Sequence, residues 1–359
     1  MAFSDKLDAW YNDYGRTLPW RGIDDPYRIW LSEIILQQTR IEQGRDYYLR
    51  FVDAFPTVAD LAAASEEQVL RLWQGLGYYS RARNLHAAAQ YIMKDCHGVF
   101  PATYEELLKL KGVGRYTAAA IASFAYRLPH PVIDGNVYRF ISRLRGISTP
   151  IATDAAYTEF ESLLLKLIDR RRPDRFNAAL MDFGSMQCRP QPECSACPFA
   201  DECVALRTGR VDTLPVKAAK AKPTDRWFYY FDLRWQKEGE HYGWMHRRAG
   251  NDIWRGLWEF PLMEADHELN NEELHSAATT FLEKNCQLST DHWPLTTDHF
   301  HLSPPYRHQL THRTIHARFI QAELPGAPAS CPAFARAMTE TQMKSVPVPR
   351  LIDKYLQRL

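Results

Sequence analysis

The stretch LKGVGRYT, residues 110–117, joins two segments of helical periodicity through a short Gly-x-Gly turn. Glycine lets a backbone approach a ligand closely and adopt a positive φ. The second helix would then point its free N–H groups and the positive end of its dipole at an anion. This pattern predicts a helix-hairpin-helix, which grips a DNA phosphate without reading bases. Taken alone the turn is ambiguous, because many ordinary helix–helix connections contain two glycines.

Around the hairpin, residues 1–208 carry apolar side chains at the spacing of amphipathic helices. The segments with this spacing are Ile29–Gln38, Glu66–Trp73, Tyr104–Leu110, Thr117–Tyr126 and Thr158–Ile168. Thr103 followed by Glu106 is a capping-box pattern that begins a helix. The sequence therefore predicts a mainly α N-terminal domain over residues 1–208.

The second half of the chain differs from the first in composition and in hydrophobic periodicity. Residues 209–225 are polar, rich in Ala, Lys and Pro, and without periodicity, which predicts an interdomain linker. Residues 226–359 contain aromatic and β-branched runs with partial alternation, which favour strands. Within them, residues 271–285 place apolar side chains on one helical face. We therefore expect an α+β C-terminal domain.

Four cysteines lie close together in the pattern Cys-x5-Cys-x2-Cys-x5-Cys: Cys188, Cys194, Cys197 and Cys203. A zinc ribbon would use two Cys-x2-Cys pairs, whereas this run contains one. A compact run of four thiolates suits an iron–sulfur cluster. The alternative is a pair of disulfides, which fits poorly with a chain that shows no secretory context.

Composition excludes few functions. The chain has 359 residues and a formal net charge of +1, so a nucleic-acid surface must be a local patch. No signal-peptide pattern begins the chain, and no apolar run approaches the roughly 18 residues of a membrane span. We expect a cytoplasmic protein, associated with the nucleoid if the organism is a bacterium. We also expect that it acts as a monomer and does not bind a membrane.

The order of the motifs is the most specific feature. The hairpin is followed by an aspartate in VIDGNV, residues 132–137, and then by the cysteine loop, which is the order found in the endonuclease III superfamily of DNA glycosylases. Residues 1–208 resemble the adenine DNA glycosylase (MutY) family along nearly their whole length. The matching stretches are LPWR (18–21), WLSEIILQQT (30–39), WQGLGYYSRARN (73–84), the hairpin and IDGNV (133–137).

The resemblance implies an enzyme that flips out and excises adenine mispaired with 8-oxoguanine, or opposite guanine, in double-stranded DNA. Breaking the glycosidic bond needs a proton donor for the base and a carboxylate near the sugar, as glycoside hydrolysis generally does. Glu33, in an apolar helical run, is the predicted acid, with a pKa raised by burial. Asp134 is the predicted ionised carboxylate. Tyr126 is expected to support these carboxylates, and Asn136 to orient Asp134 or a phosphate.

A missing lysine predicts the reaction outcome. In the lyase-competent relatives a lysine follows the Gly-Val-Gly-Arg of the hairpin and forms a Schiff base. Here that position is Tyr116, and a second position that carries lysine in some relatives is Tyr138. We expect a monofunctional hydrolase that leaves an abasic site, with little or no strand nicking.

Further residues are predicted to contact DNA. Flipping a base costs a few kcal/mol and leaves a gap that a side chain must fill. The resemblance places Gln38 and Tyr78 at the wedge, Arg21 and Leu36 in the adenine pocket, and Gly112 and Gly114 at a phosphate. A core position for Tyr78 and a helix cap for Gln38 are the ordinary alternatives.

The C-terminal domain is similar to Nudix hydrolases. RGLWEFP, residues 255–261, resembles the Nudix signature, but the glutamate array that holds Mg²⁺ is missing, so we expect binding without hydrolysis. The family reads 8-oxoguanine with a Phe-Ser-His turn. The matching stretch here is HQLTH, residues 308–312, in which Leu310 and Thr311 depart from the family pattern. His308, Thr311 and His312 are the residues of this stretch that we expect to contact DNA.

The cysteine loop also departs from the family, because its first spacing is five residues where six is usual. All four ligands remain, so the expected cofactor is a [4Fe–4S] cluster that shapes a DNA-contacting loop. Three rival interpretations stay open: an endonuclease III-like glycosylase of oxidised pyrimidines, a non-catalytic iron–sulfur DNA-binding protein, and a Nudix pyrophosphatase fused to a DNA anchor.

Overall fold

A computed structural model describes residues 2–218, 223–286, 301–328, 332 and 334–358. The chain divides into two compact units. The helical unit contains Met1–Ala64 and Ser80–Ala219, and the sheet unit contains Ser65–Tyr79 and Lys220–Leu359. The boundaries predicted from sequence stay a prediction, and residues 219–222 of the predicted linker lie outside the described part of the chain.

The first unit is helical, which confirms the predicted mainly α fold. Its helices are α1 (Phe3–Tyr14), α2 (Pro26–Leu36), α3 (Ile41–Ala54), α4 (Val58–Ala63), α6 (Ser80–Asp95), α7 (Tyr104–Leu107), α8 (Arg115–Tyr126), α9 (Gly135–Arg145), α10 (Asp154–Leu167), α11 (Pro173–Met186) and α12 (Val204–Arg207). One core of this unit gathers side chains from α9, α10 and α11 around Phe140, Phe160 and Phe183. A second, smaller cluster packs Ala119 and Ala120 of α8 against Val132.

The start of α2 follows directly from its sequence. Asp25 caps the helix by accepting hydrogen bonds from the backbone N–H groups of Tyr27 and Arg28, and Pro26 occupies the first turn, where it costs no hydrogen bond. Residues from Ile29 to Ile35 are all buried. The helix therefore runs through the unit with apolar side chains on every face, and this fixes the position of its single acidic residue.

The hairpin is formed between α7 and α8. Thr103 makes the predicted capping box with Glu106 at the start of α7. Gly112 has φ +82°, and a Cβ atom there would lie 2.7 Å from Cβ of Asn84. Gly112 therefore meets two constraints that exclude other residues, a left-handed backbone and a close approach. Gly114 caps α8 in an extended conformation and leaves the amides of its first turn without helical partners.

The second unit is built on a mixed sheet, which confirms the predicted α+β fold. Its strands are β1 (Thr224–Lys237), β2 (Glu240–Arg247), β3 (Trp258–Glu259), β4 (Leu262–Ala265), β5 (His301–Leu302), β6 (Tyr306–Gln309), β7 (Arg313–Glu323) and β8 (Arg336–Thr339). The sheet order is β3-β2-β1-β7-β5, with β4 on β1, β6 on β7 and β8 on β2. Strands β1 and β7 pair in parallel, and the other pairings are antiparallel.

Helices cover both faces of this sheet. The helices of this unit are α5 (Glu66–Trp73), α13 (Asn271–Cys286), which confirms the helix predicted at 271–285, α14 (Glu340–Ser345) and α15 (Arg350–Leu356), and α13 and α15 pack on the sheet. Residues 228–233 of β1 are buried without alternation. The reason is that α13 packs on one face through Leu274 and Leu282, while Tyr355 of α15 stacks on Phe319 of the neighbouring strand.

Helix α5 belongs to the sheet unit through polar contacts. Arg71 donates to the carbonyl of Lys344 at 2.8 Å, and Gln74 donates to Asp353 at 3.1 Å. None of the helices in the described residues is both long and apolar enough to cross a membrane.

Candidate active site

Glu33 is the buried carboxyl of α2. It is 7% exposed, and its neighbours are Tyr116, Arg21 and Asp134. Burial raises the pKa of Glu33, and the negative charge of Asp134 raises it further. The hydrogen bond from Tyr116 and the positive charge of Arg21 partly oppose this increase. A carboxyl in such surroundings retains its proton to higher pH than an exposed one, so Glu33 can act as a general acid.

Tyr116 is the tyrosine of this site. It lies in the first turn of α8, and its hydroxyl is within hydrogen-bonding reach of the Glu33 carboxyl. Burial, followed by the charges of Glu33 and Asp134, raises the pKa of Tyr116 well above its usual value. Tyr116 is therefore a neutral donor aimed at Glu33.

The sequence assigned the supporting role to Tyr126 instead. Tyr126 is the last residue of α8, and its hydroxyl donates to the carbonyl of Phe100 at 3.3 Å. Burial raises the pKa of Tyr126 to about 12. The two tyrosines stand almost three helical turns apart, so only one of them can reach Glu33. The signal that could have found Tyr116 was its place directly after the hairpin, where only the absence of lysine was considered.

Asp134 caps helix α9. Its Oδ1 accepts hydrogen bonds from the backbone N–H groups of Asn136 at 2.8 Å and Val137 at 2.7 Å, and its Oδ2 accepts one from the Asn136 amide at 2.7 Å. Burial raises the pKa of Asp134, and these three donors together with Arg139 oppose that increase. The donors also fix the direction of the carboxylate, and they hold it beside Glu33.

Arg139 was missed by the sequence analysis. Its guanidinium donates to Oδ1 of Asn136 at 2.8 Å and to the carbonyl of Cys188 at 2.8 Å. A chain of hydrogen bonds therefore runs from the first cysteine of the loop through Arg139 and Asn136 to Asp134. Arginine on the polar side of a helix carries no such signal in sequence, because most such residues face solvent.

Arg21, whose charge acts on Glu33, also lines a cavity. The cavity has a volume of about 320 Å³, and its walls include Trp20, Arg21, Phe124 and Asp174. The guanidinium of Arg21 lies over the ring of Phe124 at 5.1 Å, and within the described residues its Nη1 is buried without a hydrogen-bond partner. Leu36, the other residue predicted for an adenine pocket, packs against Gly44 of α3 and is half-buried.

The two predicted wedge residues both have left-handed backbones. Gln38 is exposed with φ +57°, in the turn that follows α2. Arg81 holds that turn, because its Nη1 donates to the carbonyls of Ile34 at 2.8 Å and Ile35 at 3.1 Å and to that of Gln37. Tyr78 has φ +48° and is 50% exposed.

In the sheet unit, the predicted recognition residues surround one turn. Thr311 is exposed, and its hydroxyl shares a hydrogen bond of 2.5 Å with the hydroxyl of Tyr78. His312 is also exposed, whereas His308 is half-buried beside Trp254 at 5.7 Å between ring centroids. Leu310 is half-buried in the same turn.

The four loop cysteines are free thiols and line one cavity with Phe140 and Leu144. Among the residues that the structure describes, no three His, Cys, Asp or Glu side chains converge closely enough to hold a single metal ion. A four-iron cluster has a different requirement, because its own iron and sulfide atoms fill the space between the thiolates. The donor set and the apolar walls therefore fit a cluster better than a single ion. The buried Arg143 donates to the carbonyls of Arg189 and Pro190 and to Sγ of Cys188, so it shapes this loop.

Comparisons with known proteins agree with this architecture. Residues 31–166 match the model of the HhH-GPD superfamily of base excision DNA repair proteins, and residues 233–358 match the NUDIX domain. A solved structure of a thermostable thymine-DNA glycosylase is similar, with 27% identity and a TM-score of 0.54 over 57% of this chain and 95% of that chain. An endonuclease III bound covalently to DNA shares the fold, with 23% identity and a TM-score of 0.51 over 57% of this chain and 94% of that chain.

Curated relatives define the family more narrowly. The adenine DNA glycosylase of Buchnera aphidicola subsp. Baizongia pistaciae is 34% identical over 73% of this chain and 74% of its own length. The human adenine DNA glycosylase is 41% identical over 57% of this chain, which corresponds to 39% of the longer human protein.

The helix-hairpin-helix fold and the match to the HhH-GPD superfamily define the class of protein, a base excision DNA repair protein, and in its site the buried Glu33 lies near the half-buried Asp134. The chain belongs to the adenine DNA glycosylase family. Its activity is accordingly that of an adenine-specific DNA glycosylase, which acts in base excision repair.

Proposed function

We propose that this enzyme excises adenine opposite 8-oxoguanine, and more slowly opposite guanine, and that it leaves an abasic site without cutting the strand. The observation that carries the proposal is the contact between Tyr78 and the exposed Thr311. It joins a predicted wedge residue to the turn predicted to read the oxidised base. A hydroxyl at this turn can bond the additional polar atoms of 8-oxoguanine, which guanine lacks.

The excision step uses both carboxyls. Glu33, protonated because it is buried, donates its proton to the departing adenine, and Tyr116 holds the carboxyl in position. Asp134 faces the sugar in a fixed orientation and stabilises the positive charge that develops there. Water then completes the hydrolysis at the sugar. Tyr116 supplies no amine at the position after the hairpin, so no Schiff base forms there.

The base must leave the duplex before this chemistry can begin. The hairpin with Gly112 and Gly114 grips a phosphate through backbone amides, and Gln38 and Tyr78 fill the gap left by the adenine. The cavity beside Arg21 receives the flipped base. Its volume of about 320 Å³ is sufficient for a purine, and its walls combine aromatic rings with charged side chains, which suit a planar ring with polar edges.

We also propose that Cys188, Cys194, Cys197 and Cys203 hold a [4Fe–4S] cluster. When bound, the cluster would fix the fold of the cysteine loop and would perform no redox step. Replacing Cys194 by serine should lower the iron and sulfide content of the purified protein. Full iron and sulfide in this variant would contradict the assignment.

The test of the function is single-turnover base release from duplexes that carry adenine opposite 8-oxoguanine, guanine or thymine. We expect the fastest release opposite 8-oxoguanine, with strand breaks only after alkali treatment. A duplex with thymine glycol serves as the control for the pyrimidine glycosylase alternative. Equal rates opposite 8-oxoguanine and guanine would contradict the recognition of the oxidised base. Strand breaks without alkali would contradict the monofunctional reaction.

A further inference from the structure

The loop between β2 and β3 is closed at its base. Arg248 donates its backbone N–H to the carbonyl of Leu257 at 2.8 Å, and Gly256 donates to the carbonyl of Arg248 at 2.8 Å. At its tip, Trp254 adopts φ +60° and is nevertheless buried, with 8% of its surface exposed. A large side chain in a left-handed conformation is held by its surroundings, because the free backbone disfavours it. We name residues 248–257 the clamp loop.

The clamp loop contacts both sides of the turn that contains Leu310, Thr311 and His312. On the side that enters the turn, the ring of Trp254 packs against His308. On the side that leaves it, Asp252 Oδ1 accepts a hydrogen bond from Arg313 Nη1 at 2.8 Å. A single short loop therefore fixes the two strand ends between which the turn is formed.

Asp252 is the centre of this arrangement. Besides Arg313 of β7, it accepts hydrogen bonds from Arg226 of β1 at 2.8 Å and from Arg248 at 2.9 Å. Burial opposes ionisation of Asp252, but a backbone N–H from Ile253 and the charges of Arg226 and Arg248 prevail and hold its pKa far below the usual value. Glu264 also forms ion pairs with Arg226 and Arg248, so these two arginines keep a negatively charged partner if Asp252 is replaced. Among the described residues, Arg313 forms its ion pair with Asp252.

The turn itself has few contacts of its own. Leu310 donates its N–H to the carbonyl of Arg313 at 2.8 Å, and Thr224 donates to the carbonyl of His312 at 3.1 Å. The hydroxyl of Thr311 remains exposed apart from its bond to Tyr78. Leu310 is half-buried, whereas Thr311 and His312 are exposed, so the paired strand ends of β6 and β7 and the contacts on them position these two side chains.

We propose that Asp252 is a positioning residue for base discrimination. Through Arg313, it holds Thr311 and His312 at the geometry that separates 8-oxoguanine from guanine. This inference rests on the proposed reading of 8-oxoguanine by this turn. It assigns no part in the chemistry to Asp252, since the carboxyls that act on adenine lie in the helical unit.

The experiment compares the preference for adenine opposite 8-oxoguanine over adenine opposite guanine, measured as the ratio of single-turnover rates on the intact enzyme. Asp252→Asn keeps the side-chain shape but weakens the bond to Arg313, and Arg313→Gln breaks the same contact from the turn. Each should lower the ratio by about tenfold, the loss expected for one charge-assisted hydrogen bond. Release opposite guanine should change by less than about twofold, because the acid site is unaltered.

Three further variants make the result specific. Asp252→Glu retains the charge and should restore part of the preference. Thr311→Ala, which removes the reading hydroxyl, should lower the ratio at least as far as Asp252→Asn does. Asp266→Asn, which removes an exposed ion pair with His267 in the same unit, should leave the ratio unchanged.

Each outcome decides a different question. A wild-type enzyme without any preference would contradict the proposed function and this inference together. A preference in the wild type that both Asp252→Asn and Arg313→Gln retain would overturn the inference alone. An equal loss on both duplexes in Arg313→Gln would show a general structural role and would also overturn it. If Asp252→Asn does not fold, the variant of the half-exposed Arg313 gives the answer.

Discussion

Two carboxyl groups, Glu33 in the helical unit and Asp252 in the sheet unit, show opposite uses of the same chemical group. Glu33 is buried with one tyrosine and one arginine close by, and its pKa is raised. Asp252 contacts three arginines, and its pKa is lowered. The two groups differ in both burial and partners: Glu33 is buried beside one tyrosine and one arginine, whereas Asp252 is partly exposed among three arginines, and the two differences act in the same direction. Glu33 can therefore give a proton to a base, whereas Asp252 remains a charged anchor.

The comparison extends to the elements that carry the two groups. Glu33 lies in a helix whose residues from Ile29 to Ile35 are all buried, so the surrounding helix holds it away from bulk solvent. Asp252 lies in a loop, and it acts by holding other parts of the chain. Excision needs a desolvated acid, whereas recognition of a base needs an exposed turn whose flanking residues are held in place by other contacts.

The largest effect should come from the acid pair itself. Glu33→Gln removes the proton donor, and we expect adenine release to slow by about 10²–10⁴, the usual contribution of general acid catalysis. Asp134→Asn should slow it comparably, because the developing charge on the sugar loses its counter-charge. Both are measured by single-turnover release opposite 8-oxoguanine, with Glu42→Gln on the exposed face of α3 as the control. A loss of less than about tenfold in Glu33→Gln would contradict the assignment of the acid.

The next effect separates the two tyrosines of α8. Tyr116→Phe removes the hydroxyl that contacts Glu33, and release should slow by about tenfold to a hundredfold, the value of a hydrogen bond to an ionisable group. Tyr126→Phe loses only a bond to the carbonyl of Phe100, so its excision rate should match that of the wild type. The opposite ranking would restore the role that sequence gave to Tyr126.

The two acids should also respond to pH with opposite sign. The folded-state pKa of Glu33 is raised, so its neutral form stabilises the fold, and that stability is lost as pH rises through the folded value. The folded-state pKa of Asp252 is lowered, so its contribution is present above the unfolded value and is lost as pH falls through the folded value.

Thermal unfolding of two variants across pH tests this difference. Glu33→Gln should become more stable relative to the wild type as pH rises. Asp252→Asn should be less stable than the wild type near neutrality and should approach it in acid. Parallel curves for either variant and the wild type would mean that the corresponding carboxyl has no shifted pKa.

The smallest effect concerns the turn after α2. Arg81→Met removes the guanidinium that caps the helix and holds the Gln38 turn. We expect release to slow by about two- to fivefold, since charge at a helix C-terminus contributes modestly. The loss should appear in the base-flipping step, which is monitored by the fluorescence of 2-aminopurine placed at the position of the adenine. Arg50→Met on α3 is the control. Normal flipping by Arg81→Met would show that Gln38 needs no such support.

Sequence predicted those features that depend on local chemistry. The glycine turn, the capping box of Thr103 and Glu106, the helix 271–285 and the burial of Glu33 all follow from residues close together in the chain.

Features that depend on packing were not predicted. Tyr116 reaches Glu33 because α2 and α8 pack together, and in sequence only its place directly after the hairpin distinguishes it from Tyr126. Arg139 and the clamp loop join segments that are distant in sequence, 49 residues apart for Arg139 and Cys188 and 61 for Asp252 and Arg313. Continuous burial in β1 was also unexpected, since alternation in sequence cannot reveal that helices cover both faces of the sheet.

The pH dependence of single-turnover adenine release, compared between wild type and Glu33→Gln, tests the central claim most directly. The claim is that burial keeps Glu33 protonated as the acid for the departing base. The wild-type rate should fall as pH rises through an inflection above the ordinary pKa of a glutamate, and this alkaline limb should vanish in Glu33→Gln. A wild-type rate that stays level across that range, or a limb that persists in Glu33→Gln, would contradict the account.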